Sequence, residues 1–111
     1  MTALLVVAGA ALGGAVRHVV ALALDDGWPT GTLLVNVTGS GLLGLAGSFA
    51  LGGHAWAFLA TGFCGALTTF SSFAVQAVDR PRVEGAAYVA ATVVGSVGSC
   101  ALGWWLGSTI G

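Results

Sequence analysis

Apolar residues fill four long stretches of this chain, and short polar segments at residues 25–29, 52–54 and 79–84 separate them. Each stretch has the roughly 20 mostly apolar residues that a membrane-spanning helix needs. The predicted spans are residues 3–24, 30–51, 55–78 and 85–110. The pattern predicts an all-α integral membrane protein with one four-helix domain, 1–111, and with both termini on the same side of the bilayer.

The third predicted span is interrupted by polar residues. Residues 62–73 read GFCGALTTFSSF, with two glycines, four hydroxyl residues and three phenylalanines in an otherwise apolar segment. In lipid, backbone that leaves the helix needs partners for its N–H and C=O groups from protein, water or an ion. We therefore expect the third helix to be broken near mid-membrane, and the break is a candidate ion site that points to transport.

The composition agrees with a membrane protein and excludes several functions. Only 6% of the residues are charged, against about 25% in globular proteins, and no basic patch exists for a nucleic acid. Residues 1–16 carry no charge, so the first stretch is expected to be a span and not a cleaved leader. Arg80 and Arg82 give only a weak charge bias, so either the termini face outward or the protein inserts in both orientations. Four short helices hardly enclose a pore alone, so we expect a dimer.

A few polar side chains inside the spans are candidates for function, because burying them in lipid is costly. Asn36 provides an amide, either for an interhelical hydrogen bond or for an ion. Thr92, Ser96 and Cys100 follow one another at helical spacing, either as donors along an anion path or as hydroxyls bonded to their own helix. Arg17 is the only charge inside a span. It either reaches the interface or makes one mouth of a path positive.

Phe70 and Phe73 lie three residues apart, on one face of the helix after the break. They either pack in lipid or turn their ring edges, which are positive, toward an anion. The spans contain no Asp or Glu, which argues against the main rival, a small multidrug-type cation exporter. The sequence has no nucleophile–base pair and no metal-ligand spacing of an enzyme, so enzyme is the class least favoured.

Three ordered motifs resemble the Fluc (CrcB) family of bacterial fluoride channels over essentially the full length. Residues 9–17, GAALGGAVR, resemble the glycine-rich first span that ends in arginine. Residues 31–36, GTLLVN, resemble the second-span signature, and residues 62–73 resemble the family's core motif. The resemblance implies passive fluoride export across the bacterial cell membrane. It also implies an antiparallel dimer of dual topology, in which the second subunit is an identical chain or a related one.

The resemblance also implies roles for individual residues. A structural sodium ion at the dimer centre would be held by the backbone carbonyls of Gly65 and Thr68, and Arg17 would lie near a vestibule. The fluoride path would be lined by Asn36, Thr69, Phe70, Ser72, Phe73, Ser96 and Cys100. The chain departs from the family's pattern at Ala66, where a second glycine is usual, and at Cys100, where a hydroxyl is common.

Overall fold

The computed structural model describes residues 2–49 and 52–110, and nearly all of them are helical. Residues 50 and 51, at the end of the second predicted span, lie outside the described ranges. Helix α1 runs Thr2–Leu24, α2 runs Thr30–Ser48, and α6 runs Arg82–Ile110. The last helix begins three residues before the predicted span because Arg82, Val83 and Glu84 form its first turn.

The third predicted span consists of consecutive helical pieces. A short helix α3, Gly53–Trp56, leads into a π-helical segment, Ala57–Cys64, and then into a single α-helical turn, α4, Gly65–Leu67. Thr68 and Thr69 have extended backbone, with ψ angles of 153° and 124°, and helix α5, Phe70–Val78, follows. The predicted break in the third helix therefore lies at these two threonines.

A tight turn joins α1 to α2. Two short strands, β1 (Asp25–Asp26) and β2 (Trp28–Pro29), pair antiparallel, with Asp26 opposite Trp28. Gly27, at the turn, has a φ of 75°, which side chains disfavour and glycine adopts freely. Because the turn is compact, the start of α2 lies beside the end of α1.

Glycines bring the helices into backbone contact. On α1, Gly9 and Gly13 are buried against the π-helical segment, where an added methyl group would overlap the carbonyl oxygens of Phe58 and Phe63. On α6, Gly103 is buried against the carbonyl of Gly41 on α2. Small residues let helix backbones approach closely in this way, and in lipid such packing replaces the hydrophobic effect between helices.

Within residues 2–49 and 52–110, three helical stretches are long and apolar enough to cross a membrane: Thr2–Leu24, Gly53–Val78 and Arg82–Ile110. Helix α2 has 19 residues but does not qualify, because glycines and hydroxyl side chains interrupt its apolar residues. This composition suits an inner helix. Buried Asn36 and Gly39 of α2 contact the third span, buried Gly44 contacts α6, and the contacts of α2 with α6 are the most extensive between any two helices.

Candidate functional site

A cleft of about 450 Å³ opens beside the break in the third helix. Helices α2 and α6 form its other walls. The structure brings most of the predicted site residues to this cleft: Asn36, Gly65, Thr68, Thr69, Phe70, Phe73 and Ser96. Residues from three separate predicted spans therefore meet at one place.

Asn36 completes the backbone hydrogen bonds at the break. Its Oδ1 accepts the N–H of Thr69 at 2.8 Å, and its Nδ2 donates to the carbonyl of Thr69 at 3.2 Å. The amide thus pairs with Thr69 as a neighbouring strand would, and its side chain is only 6% exposed. The hydrogen bond between helical segments is therefore present, whereas the role of Asn36 toward an ion stays a prediction, for a side chain that also lines the cleft.

Further hydrogen bonds hold the residues on either side of the break. The N–H and the Oγ1 of Thr68 both donate to the carbonyl of Cys64, at 3.1 and 2.9 Å. Thr69 caps α5, because its Oγ1 accepts the N–H of Ser72 at 3.3 Å. The carbonyl end of one helical run and the N–H end of the next therefore meet here. These ends carry partial negative and positive charge respectively.

Aromatic rings extend from the cleft toward one end of the molecule. Phe70 and Phe73 lie 5.9 Å apart between ring centres, with planes tilted by 55°. Phe73 contacts the ring of Tyr88 at 5.3 Å, and Tyr88 meets Trp28 edge to face at 6.0 Å. Phe70 remains 79% exposed, so one side of the cleft is open at this ring.

Hydroxyl groups of α6 form the wall opposite the phenylalanines. Thr92 and Ser96 line the cleft, whereas Cys100 lies outside it, at the contact between α6 and Gly44 of α2. Thr92 is 6% exposed, and its hydroxyl interacts with that of Tyr88, one turn earlier on α6. Cys64 and Cys100 are both free thiols.

A second cavity, of about 320 Å³, lies on the other side of Thr69. Arg17 and Ser72 line this cavity together with His18, Asp25 and others, so these two predicted residues lie apart from the main cleft. Thr69 borders both cavities. A path from the arginine to the hydroxyls of α6 would therefore pass the break.

Sequence reasoning missed three residues that connect this region. Asp25 accepts hydrogen bonds from Thr32 and from the amide of Gln76, and the hydroxyl of Tyr88 donates to Gln76 at 3.0 Å. Tyr88 is fully buried. A detectable signal was available for Tyr88, which precedes Thr92 and Ser96 at the same spacing of four. No such sequence signal marks Asp25, because a carboxylate in a loop ordinarily faces water.

Arg80 joins the two loops at this end of the molecule. Its guanidinium lies 5.2 Å from the centre of the Trp28 ring and donates to the carbonyl of Gly27. A cation over an aromatic face is an attractive contact. The turn after α1 is thereby fastened to the turn before α6.

Comparisons with known proteins relate the chain to one group. The family model described as CrcB-like protein, Camphor Resistance (CrcB), matches residues 4–108. "Fluoride-specific ion channel FluC 2" of Rhodococcus jostii is 42% identical over 109 residues, covering 96% of each chain. "Fluoride-specific ion channel FluC" of Rhodospirillum rubrum is 37% identical, covering 96% of this chain and 92% of its own. "Fluoride-specific ion channel FluC 1" of Frankia casuarinae is 41% identical, covering 93% of each.

Proposed function

This chain belongs to the CrcB-like protein family, and on that premise we propose that it is a fluoride-selective ion channel of the cell membrane. Its relatives are named as ion channels, so the chain is a transport protein and not an enzyme. Conduction is passive. Fluoride that enters a cell as neutral HF dissociates in the less acidic cytoplasm and leaves as the anion, which lowers its toxicity.

One observation carries the proposal, namely that Asn36, both phenylalanines and the α6 hydroxyls line one cleft at the helix break. Each supplies a weak positive group: an amide N–H, a ring edge or an O–H. The N-terminus of α5 adds its partial positive charge at Thr69. Several weak donors suit conduction, because an ion has to be bound and then released.

The path proposed for fluoride begins beside Arg17 in the second cavity and passes Thr69 and Ser72. It continues along Asn36, Phe70 and Phe73 to Ser96. The two cavities on either side of Thr69 support this order. Cys100 would lie at the far end of the row, one turn beyond Ser96.

A structural sodium ion at the break is also part of the proposal. The carbonyls of Gly65 and Thr68 would hold it, and carbonyl oxygens suit a hard cation. The carbonyl end of the helical run that stops at Leu67 supports this assignment, since it carries partial negative charge. Among the described residues, no group of three or more His, Cys, Asp or Glu could hold a metal ion by its side chains.

We further propose that two subunits associate in opposite orientations and that all four long helical stretches, α2 included, cross the bilayer. The open side of the cleft, where Phe70 is 79% exposed, supports a second subunit. Two carbonyls from each subunit would then surround the sodium ion. The second subunit is either an identical chain or a related one, and the latter makes this chain half of a heterodimeric channel.

The direct test is fluoride efflux from liposomes that contain this chain alone. We expect fluoride-loaded vesicles to release fluoride, measured with a fluoride electrode, when valinomycin compensates the charge with potassium. Chloride-loaded vesicles should release little chloride. A folded dimer in vesicles that leak no more fluoride than protein-free vesicles would contradict the homodimeric channel. Release that appears only with a related subunit would establish the heterodimer.

The phenylalanines provide a test of the path itself. Phe73→Ile keeps an apolar side chain but removes the ring edge, and an aromatic contact is worth about 0.5–1.5 kcal/mol, so flux should fall about tenfold. Phe70→Ile should act in the same direction. Phe58→Ile is the matched control, because Phe58 belongs to the π-helical segment and lies outside the cleft. Unchanged flux in both Phe70→Ile and Phe73→Ile would refute the role of the ring edges.

A further inference from the structure

A row of aromatic rings connects the cleft to the turn after α1. Phe73 lines the cleft, whereas Tyr88 and Trp28 lie outside it. The ring centre of Phe73 lies 5.3 Å from that of Tyr88, and the Tyr88 centre lies 6.0 Å from that of Trp28. Both distances fall in the range of about 4.5–7 Å at which aromatic rings attract one another. A side chain of the cleft is therefore linked by ring contacts to a residue of the loop.

Tyr88 is the buried neighbour of the Phe73 ring. The other aromatic neighbour, Phe70, is 79% exposed within one subunit, whereas Tyr88 is fully buried. Exposed side chains change rotamer within picoseconds to nanoseconds, and buried ones are confined by close packing. We therefore expect the plane of the Phe73 ring to depend on Tyr88 more than on Phe70.

The plane of the Tyr88 ring depends in turn on its neighbours. Its hydroxyl donates to Oε1 of Gln76 at 3.0 Å. That oxygen lies on the axis about which the ring rotates, so the hydrogen bond holds the end of the ring and leaves its plane largely free, as this torsion is broad. Trp28 meets Tyr88 edge to face, with 64° between the ring planes. This is a geometry that aromatic pairs prefer, and it restricts the rotation.

Arg80 holds Trp28 in this position. Trp28 is 42% exposed, so packing alone does not confine its indole. The Arg80 guanidinium lies 5.2 Å from the centre of the indole ring and donates to the carbonyl of the adjacent Gly27. A guanidinium is attracted to the face of an aromatic ring and stacks on it. The row of contacts thus begins at the turn before α6 and ends at Phe73.

We propose that Trp28, held by Arg80, is a positioning residue of the fluoride path. Through the Tyr88 ring, it keeps the Phe73 ring in the plane that turns its edge toward the anion. The edge of an aromatic ring is positive and its face is negative, so a rotated Phe73 ring repels the anion that it otherwise attracts. This inference rests on the proposed fluoride conduction.

The first test compares two replacements of Trp28 in the liposome efflux assay. Trp28→Leu removes the ring but keeps an apolar side chain, and maximal fluoride flux should fall about fivefold. Trp28→Phe retains a ring beside Tyr88 and should restore most of the flux. Trp56→Leu is the matched control, because Trp56 is 38% exposed and lies on α3, away from the aromatic row. It should conduct as the wild type does.

Arg80 provides a test of the route. Arg80→Gln removes the cation from the indole face and should lower flux about twofold, whereas Arg80→Lys keeps the charge and should not. If Arg80 acts through Trp28, the double variant Trp28→Leu/Arg80→Gln should conduct no less than Trp28→Leu alone. A further loss in the double variant would show that Arg80 acts by its charge alone, which would overturn the proposed route.

Fluorine NMR of the protein in detergent separates this inference from the proposed function. With 4-fluorophenylalanine incorporated at position 73, the ¹⁹F signal reports the surroundings of that ring without any flux. Trp28→Leu should shift or split the signal, and Trp28→Phe and Trp56→Leu should leave it unchanged. If the wild type conducts no fluoride, the channel proposal fails, and this comparison alone decides whether Trp28 positions Phe73.

Two results would overturn the inference. One is a signal at position 73 that Trp28→Leu leaves unchanged. The other is an equal loss of flux in Trp28→Leu and Trp56→Leu, since both tryptophans would then act only as anchors at the membrane interface. If Trp28→Leu yields no folded protein, Arg80→Gln takes its place in the NMR comparison, with Arg80→Lys as its control.

Discussion

Replacement of Asn36 by leucine is expected to abolish fluoride flux and to lower the melting temperature of the protein. Leucine has a similar size but neither accepts nor donates, so the N–H and the carbonyl of Thr69 both lose their hydrogen bond to the side chain at position 36. A buried polar group without a partner costs about 1–3 kcal/mol. The extended backbone at the break then has to rearrange, which displaces the hydroxyl and ring groups of the cleft together.

Aspartate at the same position separates the structural role of Asn36 from its electrostatic role. Asn36→Asp still accepts the Thr69 N–H but loses the donor and brings a negative charge to the cleft. We expect it to retain more of the melting temperature than Asn36→Leu while it still conducts no fluoride. Thr38→Val, on the exposed side of α2, is the control. Wild-type flux in Asn36→Leu would contradict the role assigned to the amide.

Gly103→Val is expected to prevent the formation of a folded protein. A Cβ at this position would overlap the backbone carbonyl of Gly41, and it would also lie 3.0 Å from the N–H nitrogen of Leu45. Backbone atoms cannot change rotamer, so the clash is relieved only if α6 moves away from α2. Overpacking typically costs about 1–3 kcal/mol, and more where the backbone has to shift.

Gly98→Val tests whether this loss is steric. Gly98 lies on the same helix, and no atom of the described chain lies within 4 Å of an added Cβ. The control should elute as a single species in size-exclusion chromatography, with a melting temperature near that of the wild type. Equal losses in both variants would show that valine in α6, and not the contact with Gly41, disrupts the protein.

The sequence predicts the long helices and the break because both depend on local composition. Apolar length defines α1 and α6, and the cluster of glycines and hydroxyls in residues 62–73 defines the interruption. The structure narrows the interruption to Thr68 and Thr69, the two residues whose backbone is extended. The grouping of residues from different helices into one site was predicted from the family resemblance. Periodicity alone does not predict it, because it describes each helix separately.

Other features depend on contacts that no local pattern records. Asn36 and Thr69 are 33 positions apart, and only the packing of α2 against the third span brings them together. The partnership of Asp25 with Gln76 bridges 51 positions. The π-helical segment also has no distinctive composition, since its residues would equally suit an α-helix.

The weak hydropathy of α2 has a consequence for the biogenesis of this protein. Helices enter the membrane in the order of their synthesis, and α2 is made long before α6, the helix with which it makes its most extensive contacts. Until α6 emerges, the glycines and hydroxyls of α2 face lipid or the insertion machinery. If α2 crosses the bilayer as proposed, we expect its release into lipid to follow the synthesis of α6, and a truncation within α6 would remove the helix with which α2 makes its most extensive contacts.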